Sequence, residues 1–200
     1  MTNSIVARAL PLYGLPPETP LTLLNRSENE TWQAGELVLR LHRQGYHTRT
    51  EIASELAWLT ALQGLPGLRA VRPVPGAEGL VSDIEGRFVV GFARIPGQEL
   101  QPGDDLARWF PRLGEITARL HLQSRHWSPP PGFLRKRWDV ATILGPAPHW
   151  GDWRQAAGLT PEGRALMERA TTALAEQLAA YGTGAGVFGL GVVPAMTGRS

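Results

Sequence analysis

The sequence predicts an α+β fold: a small antiparallel sheet of about five strands with one helix, followed by a mainly helical region. Apolar stretches of strand length, separated by turn residues, crowd between Leu21 and Phe92. One helical stripe interrupts them, from Thr48 to Leu62, and beyond Asp104 helical spacing is what recurs.

Residues 3–13, NSIVARALPLY, carry Ile5, Ala9 and Leu10 on one side before Pro11 interferes, which predicts a short helix beside the first strand. Gly14 to Pro20 is a connector rich in proline and glycine. Two strands, Leu21–Leu24 and Glu30–Ala34, are joined by a polar loop, and a tight turn at Ala34-Gly35 leads to a third, Leu37–His42. Alternation along the third strand puts Val38, Arg40 and His42 on one face and Leu37, Leu39 and Leu41 on the other. Arg40 is thus a charge inside an otherwise apolar strand.

The helix that follows has a clear start. Thr48 can cap free backbone N–H groups while Glu51, at the third helical position, reaches back to the cap. Ile52, Leu56, Leu59 and Leu62 form its core stripe, and Glu55 borders that stripe. An acid in such a place requires a cationic partner, because an unpaired buried charge is expensive. Arg40 is the cation on offer. The pair has two interpretations at this point: an ion pair that stiffens a strand-helix unit, or a cation held out to bind phosphate.

Gly64 to Gly79 is a run of turn residues, and within it Leu68–Val74 carries one short edge strand, since Pro73 and Pro75 cannot donate to a ladder. Leu80–Asp83 and Arg87–Phe92 pair across a Glu85-Gly86 turn. The segment FARIPGQEL, Phe92 to Leu100, leads to a helix over Asp104–Leu122, where Trp109, Leu113, Ile116 and Leu120 recur and His121 complements the helix dipole. In HWSPPPGFLRKRWD, residues 126–139, the prolines and glycine exclude regular structure, yet Trp127, Phe133 and Trp138 supply enough apolar surface to pin the loop down. Its Arg135, Lys136 and Arg137 form a dense basic cluster that is either solvated or a phosphate or nucleic-acid patch. His149, Trp150, Asp152 and Trp153 crowd together, either as a loop for sugars or amines or as anchors for an insert. Thr160, Pro161 and Glu162 open the last helix, whose core side runs through Leu166, Ala170, Ala173, Leu174, Gln177 and Leu178 to Tyr181.

Two hundred residues can bury one good core or two small ones, and 42% hydrophobic content fits a globular chain. A formal charge of +2 is too small to call for a nucleic acid or an anionic membrane as partner. The basic residues also form no stripe with interleaved aromatics. With no cysteine there is no disulfide frame, thiolate metal site or cysteine nucleophile. No leader pattern or stretch of membrane-spanning length is present, so the expectation is a cytoplasmic protein.

The wording SENETWQ, LVLRLHR and EIASELAWL, with Leu120-His121 and the run PPPGF, a basic residue and Trp-Asp, resembles the aminoglycoside phosphotransferase superfamily. That superfamily includes choline kinases and kinase-like homoserine kinases. The resemblance implies a protein-kinase-like small lobe over residues 1–92, a hinge over 93–97, and an incomplete, mainly helical large lobe over 98–190, with the tail at 191–200 unlike the family. It implies ATP as cofactor. Ser27, Glu28 and Asn29 would form the loop over its phosphates, Arg40 would contact them, Glu55 would hold Arg40, and Ala93, Arg94 and Ile95 would present backbone groups to the adenine. The cation is Arg where kinases at large use Lys, and a planar fork does not repeat the geometry of an ammonium.

The implied activity is transfer of the ATP γ-phosphate to a hydroxyl of a small molecule or a protein. In the family the catalytic Asp and magnesium ligands follow the last helix, on a loop of His-x-Asp-x4-Asn form. Phe188-Gly189-Leu190 resembles the strand leading into that loop, but GVVPAMTGRS follows, and Glu176 is the last acidic residue. The expectation is a phosphotransferase truncated before its catalytic loop and lacking magnesium ligands. The alternative is an inactive remnant or a regulatory module that binds nucleotide or a partner.

Overall fold

The computed structural model describes residues 2–97, 101, 103–146 and 148–182. The predicted strand at Phe188-Gly189-Leu190 and the tail at 191–200 lie outside them. The described chain forms two compact units, one running to Arg135 and the other beginning at Lys136.

In the first unit, helix α1 (Thr2–Ala9) passes into a 3-10 turn over Leu10–Tyr13, as expected from Pro11, which lacks the N–H that an α-helix would need. Strands β1 (Leu21–Arg26), β2 (Asn29–Ala34) and β3 (Leu37–His42) form an antiparallel meander. Helix α2 (Arg49–Ala61) follows, then β4 (Pro73–Val74), β5 (Ser82–Ile84) and β6 (Arg87–Ala93). The sheet has six strands in the order β1-β2-β3-β6-β4, with β5 also paired to β6. Strand β1 outlasts its predicted end at Leu24 because a bulge between Leu23 and Asn25 absorbs one residue and lets pairing resume as far as Arg26. The predicted strand over Leu68–Val74 contracts to two residues, since only Pro73 and Val74 lie against β6, at Phe92 and Gly91. Glu85 and Gly86, at φ 54° and 75°, make the tight β5-β6 turn with both central residues left-handed, and Glu85 is held by an ion pair with Arg8.

Helices cover both faces of this sheet. On one, Val6, Ala9 and Leu10 pack against Trp32, Ala34, Leu39, Leu41, Ile84 and Val89. On the other, Ile52 and Leu56 of α2 pack against Val81, Val90 and Phe92, with Val38 beside them. The Thr48 capping box is formed: the Glu51 N–H donates to Thr48 Oγ1 at 3.2 Å and the Thr48 N–H donates to Glu51 Oε2 at 2.8 Å. Gly91 is required by packing, because a Cβ there would lie 2.4 Å from Cε1 of Tyr13.

Helix α3 (Phe110–His126) starts later than the sequence predicts, after a 3-10 turn at Leu106–Arg108. Pro111 decides this. It fits the first turn of a helix, whereas within a helix begun at Asp104 its ring would strike the carbonyl four residues back. The α3 helix buries none of its residues, but Trp58 Nε1 donates to Gln123 Oε1 at 2.9 Å and Arg119 Nη1 to the Pro66 carbonyl at 2.9 Å.

The second unit holds helix α4 (Val140–Ile143), capped by Asp139, a 3-10 turn at Trp153–Gln155, and helix α5 (Pro161–Tyr181), whose Thr160 cap accepts from the Gly163 N–H at 3.1 Å. The apolar side expected of α5 lies at the surface, with Leu166, Leu174 and Leu178 all exposed.

The fit of Tyr13 over Gly91 is testable by unfolding. Gly91→Ala should lower stability by about 1–3 kcal/mol through overpacking, and adding Tyr13→Leu should recover part of it, as read from urea midpoints. Equal losses with and without the Tyr13 change would show that the contact is not the cause.

Candidate functional site

Strand β3 brings the chemistry to the α2 face of the sheet. Arg40 is flanked in register by Thr31 of β2 and Val90 of β6. Helix α2 lies over this row, and the third position of its second turn delivers Glu55. Arg40 Nη2 donates to Glu55 Oε1 at 2.8 Å, with side chains 14% and 21% exposed. The Arg40 guanidinium also lies 5.1 Å from the centre of the Phe92 ring. The Arg40 Nε is buried with no hydrogen-bond partner.

A second cation reaches the same carboxylate. Arg135 Nη1 donates to Glu55 Oε2 at 3.3 Å and to the Glu51 carbonyl at 3.3 Å. Just before it, the Leu134 N–H donates to the buried Ser54 Oγ at 2.8 Å, and Trp127 and Phe133 meet edge to face with ring centres 5.2 Å apart. The proline-rich loop is pinned, as its aromatics lead one to expect, and pinned to α2. Burial raises the Glu55 carboxyl, but Arg40 and then Arg135 outweigh it and hold the group below the usual carboxylate range. The Arg40–Glu55 pairing is the one the sequence predicts. Arg135 carries no such signal in the sequence, because its contact with Glu55 spans eighty positions and no local periodicity encodes it.

Two residues along β3 from Arg40, His42 is buried with neither ring nitrogen hydrogen-bonded, while its carbonyl accepts from Arg87 Nε and Nη2 at 3.1 and 2.9 Å. Burial, and next the charge of Arg40, lower its pKa to about 3.

The other predicted site residues flank this centre along the strands. Ser27 and Glu28 are the tip of the β1-β2 hairpin, and Asn29 opens β2 opposite His42, its Oδ1 accepting from the Arg43 N–H at 3.2 Å. Ala93 ends β6 at the opposite end of β3, paired with Leu37. The N–H groups of Ala93 and Arg94 are spent on the carbonyls of Arg72 and Glu36, at 2.9 and 3.0 Å. Ile95 follows outside the strand. Arg40 therefore lies between the hairpin tip and the Ala93–Ile95 segment, which are separated by a strand length of roughly 17 Å.

In the second unit, Trp138 stacks on Trp150 at 4.6 Å and meets His149 edge to face at 5.1 Å. Asp152 is occupied locally, accepting from Arg154 at its N–H and at Nη1, 3.1 and 3.2 Å away. Arg137 pairs with Asp139 at 2.8 Å, so two members of the basic cluster have acidic partners. Among the described residues no group of three or more His, Cys, Asp or Glu side chains is arranged to hold a metal ion, and no helix is long and apolar enough to cross a membrane.

Residues 23–188 match the phosphotransferase enzyme family (APH). A microcompartment-associated aminopropanol kinase has a similar structure, with a TM-score of 0.79 and 37% identity over 92% of this chain and 59% of its own. The amicoumacin kinase hAmiN, solved with AMP-PNP, Ca2+ and Ami, gives a TM-score of 0.66 at 20% identity over 89% of this chain and 53% of its own, and supports the fold alone. An uncharacterized protein of Deinococcus radiodurans is 39% identical over a region covering 54% of this chain and 33% of its own length. The chain thus spans between a third and three fifths of the length of the proteins it resembles.

The buried imidazole predicts a pH dependence. Unfolded His42 takes up a proton near 6.5 but the folded one only near 3, so between those values the unfolded state binds more protons and stability falls as pH drops. Glu55 acts in the same direction at lower pH, its contribution being lost as pH falls through its lowered pKa. The urea midpoint should decline between pH 7 and pH 5, and His42→Leu should flatten that decline. An unchanged slope in the variant would assign the effect elsewhere.

Proposed function

The chain belongs to the phosphotransferase enzyme family, and from that premise we propose that its first unit is an ATP site serving transfer of the γ-phosphate to a hydroxyl. The carrying observation is the Arg40–Glu55 pair, set on β3 and α2 between the β1-β2 hairpin tip and the Ala93–Ile95 segment.

Each residue has a distinct task in this reading. Bound ATP supplies the phosphoryl group and its leaving group. Arg40 fits a phosphate oxygen: its charge is permanent, and Glu55 takes only one of its terminal nitrogens in the described contacts. Glu55 orients the guanidinium and neutralises it when no anion is bound. Ser27 and Glu28 close over the phosphates as a two-residue hairpin tip, with Asn29 steadying the exit of β3. With the Ala93 and Arg94 N–H groups engaged, the adenine edge is met by Ile95 and by carbonyls of the segment. Magnesium accompanies ATP in the proposed reaction, but among the described residues no cluster of three or more His, Cys, Asp or Glu side chains fits it. The acceptor is taken to be a small molecule, as the name of the aminopropanol kinase suggests, with a protein hydroxyl the second choice. We place the reaction in the cytoplasm.

Calorimetric titration of the 200-residue chain with ATP and magnesium, with phosphate release followed in the same sample, tests the proposal. Binding with turnover supports the kinase reading, binding without turnover supports a nucleotide-binding module, and no binding overturns both. Arg40→Ala should weaken ATP about ten- to a hundredfold, the worth of a hydrogen bond to a charged group. Glu55→Ala should weaken it less and cost on the order of 3 kcal/mol of stability, at the low end for an uncompensated buried charge because both cations retain some water. Unchanged affinity in Arg40→Ala would remove Arg40 from the phosphate site.

A further inference from the structure

Glu55 divides its two oxygens between two arginines, Oε1 to Arg40 Nη2 at 2.8 Å and Oε2 to Arg135 Nη1 at 3.3 Å. An arginine beside a carboxylate commonly takes both oxygens through two parallel N–H bonds. Arg40 does not: its described contact is single, and its Nε, one arm of such a fork, is buried without a partner. The second oxygen already accepts from Arg135, which competes there with a second N–H of Arg40. Arg135 is held there independently of Glu55, because Nη1 also donates to the Glu51 carbonyl and the adjoining Leu134 N–H donates to buried Ser54.

We propose that Arg135 is a positioning residue that keeps the Arg40–Glu55 contact one-handed and so reserves the remaining terminal N–H groups of Arg40 for an anionic ligand. This rests on the assignment of Arg40 to the ATP phosphates. With Arg135 removed, Oε2 loses its competing donor, Arg40 closes on both oxygens, and a further N–H of Arg40 is drawn away from a phosphate. Arg135 acts through Glu55 and does not touch the nucleotide. It also makes the loop ending at Arg135 a determinant of a site built from β3 and α2, although that loop contributes no ligand.

The test is a set of full-length variants, R135Q, R135K, E55Q and R135Q/E55Q, titrated with ATP and magnesium by calorimetry after circular dichroism has verified folding. R135Q should weaken ATP about tenfold, one charge-assisted bond's worth, while R135K, whose ammonium can still occupy Oε2, should recover most of it. In the E55Q background, R135Q should change affinity less than about twofold, because its effect runs through Glu55. A loss of equal size in both backgrounds, or none in either, overturns the proposal. Failure of the underlying phosphate assignment gives a different signature, either no ATP binding by the unsubstituted chain or no effect of R40A. In that case the geometry is read from unfolding alone: the coupling of Arg40 with Glu55 in a double-mutant cycle should grow about tenfold in equilibrium constant when R135Q is added. Coupling that stays the same overturns the one-handed contact itself.

Discussion

Everything proposed for this chain depends on one carboxylate that can be nearly buried only because two guanidiniums share it. Glu55 alone against the apolar flank of α2 would be costly, and so would Arg40 in the middle of an apolar strand. Placed 2.8 Å apart they neutralise each other, and a closed two-bond pair would leave fewer N–H groups for a ligand. The Arg135 contact changes that balance. Three charges of net sign +1 on a water-poor face favour an anion, whereas an isolated ion pair does not.

The rest of the first unit serves to hold that trio at fixed separation. The sheet is covered on both faces, by α1 and its 3-10 turn on one and by α2 on the other, so β3 is central in both senses. Leu39 and Leu41 anchor it to the α1 side while Arg40 and His42 face α2. His42 has a cost attached: an imidazole kept neutral by burial, and by the arginine beside it, contributes no ion pair and titrates against the fold. Its carbonyl, doubly bonded by Arg87, ties the end of β3 to β6.

The strand register also orders the candidate nucleotide site from end to end. The hairpin tip at Ser27-Glu28 and the Ala93–Ile95 segment lie at opposite ends of β3 because β2 and β6 flank it antiparallel, pairing Asn29 with His42 and Ala93 with Leu37. Arg40 falls between them without any special device. The second unit has a different character: its tryptophans stack locally, Asp152 is tied up by Arg154, and α5 exposes the apolar residues that its periodicity marks as core.

Sequence alone determined what is local or strictly periodic. The Thr48–Glu51 cap, the alternation that sets Arg40 against α2, the Glu85-Gly86 turn and the bounds of α5 follow from interactions spanning a few residues, and the words around Ser27, Arg40 and Glu55 carried the family. Pro111 is a local signal of the same kind, and it moves the start of α3 to Phe110. Tertiary structure decided what is nonlocal: that Leu68–Val74 keeps only two paired residues, that Tyr13 lies over Gly91, and that the predicted core side of α5 is exposed. Above all it decided that one arginine of a basic cluster completes the Glu55 site. In sequence Arg135 is one of three consecutive cations, and only the loop bonded to Ser54 and Glu51 distinguishes it, since a contact between distant segments is specified by the packing of the whole unit and not by the spacing of its neighbours.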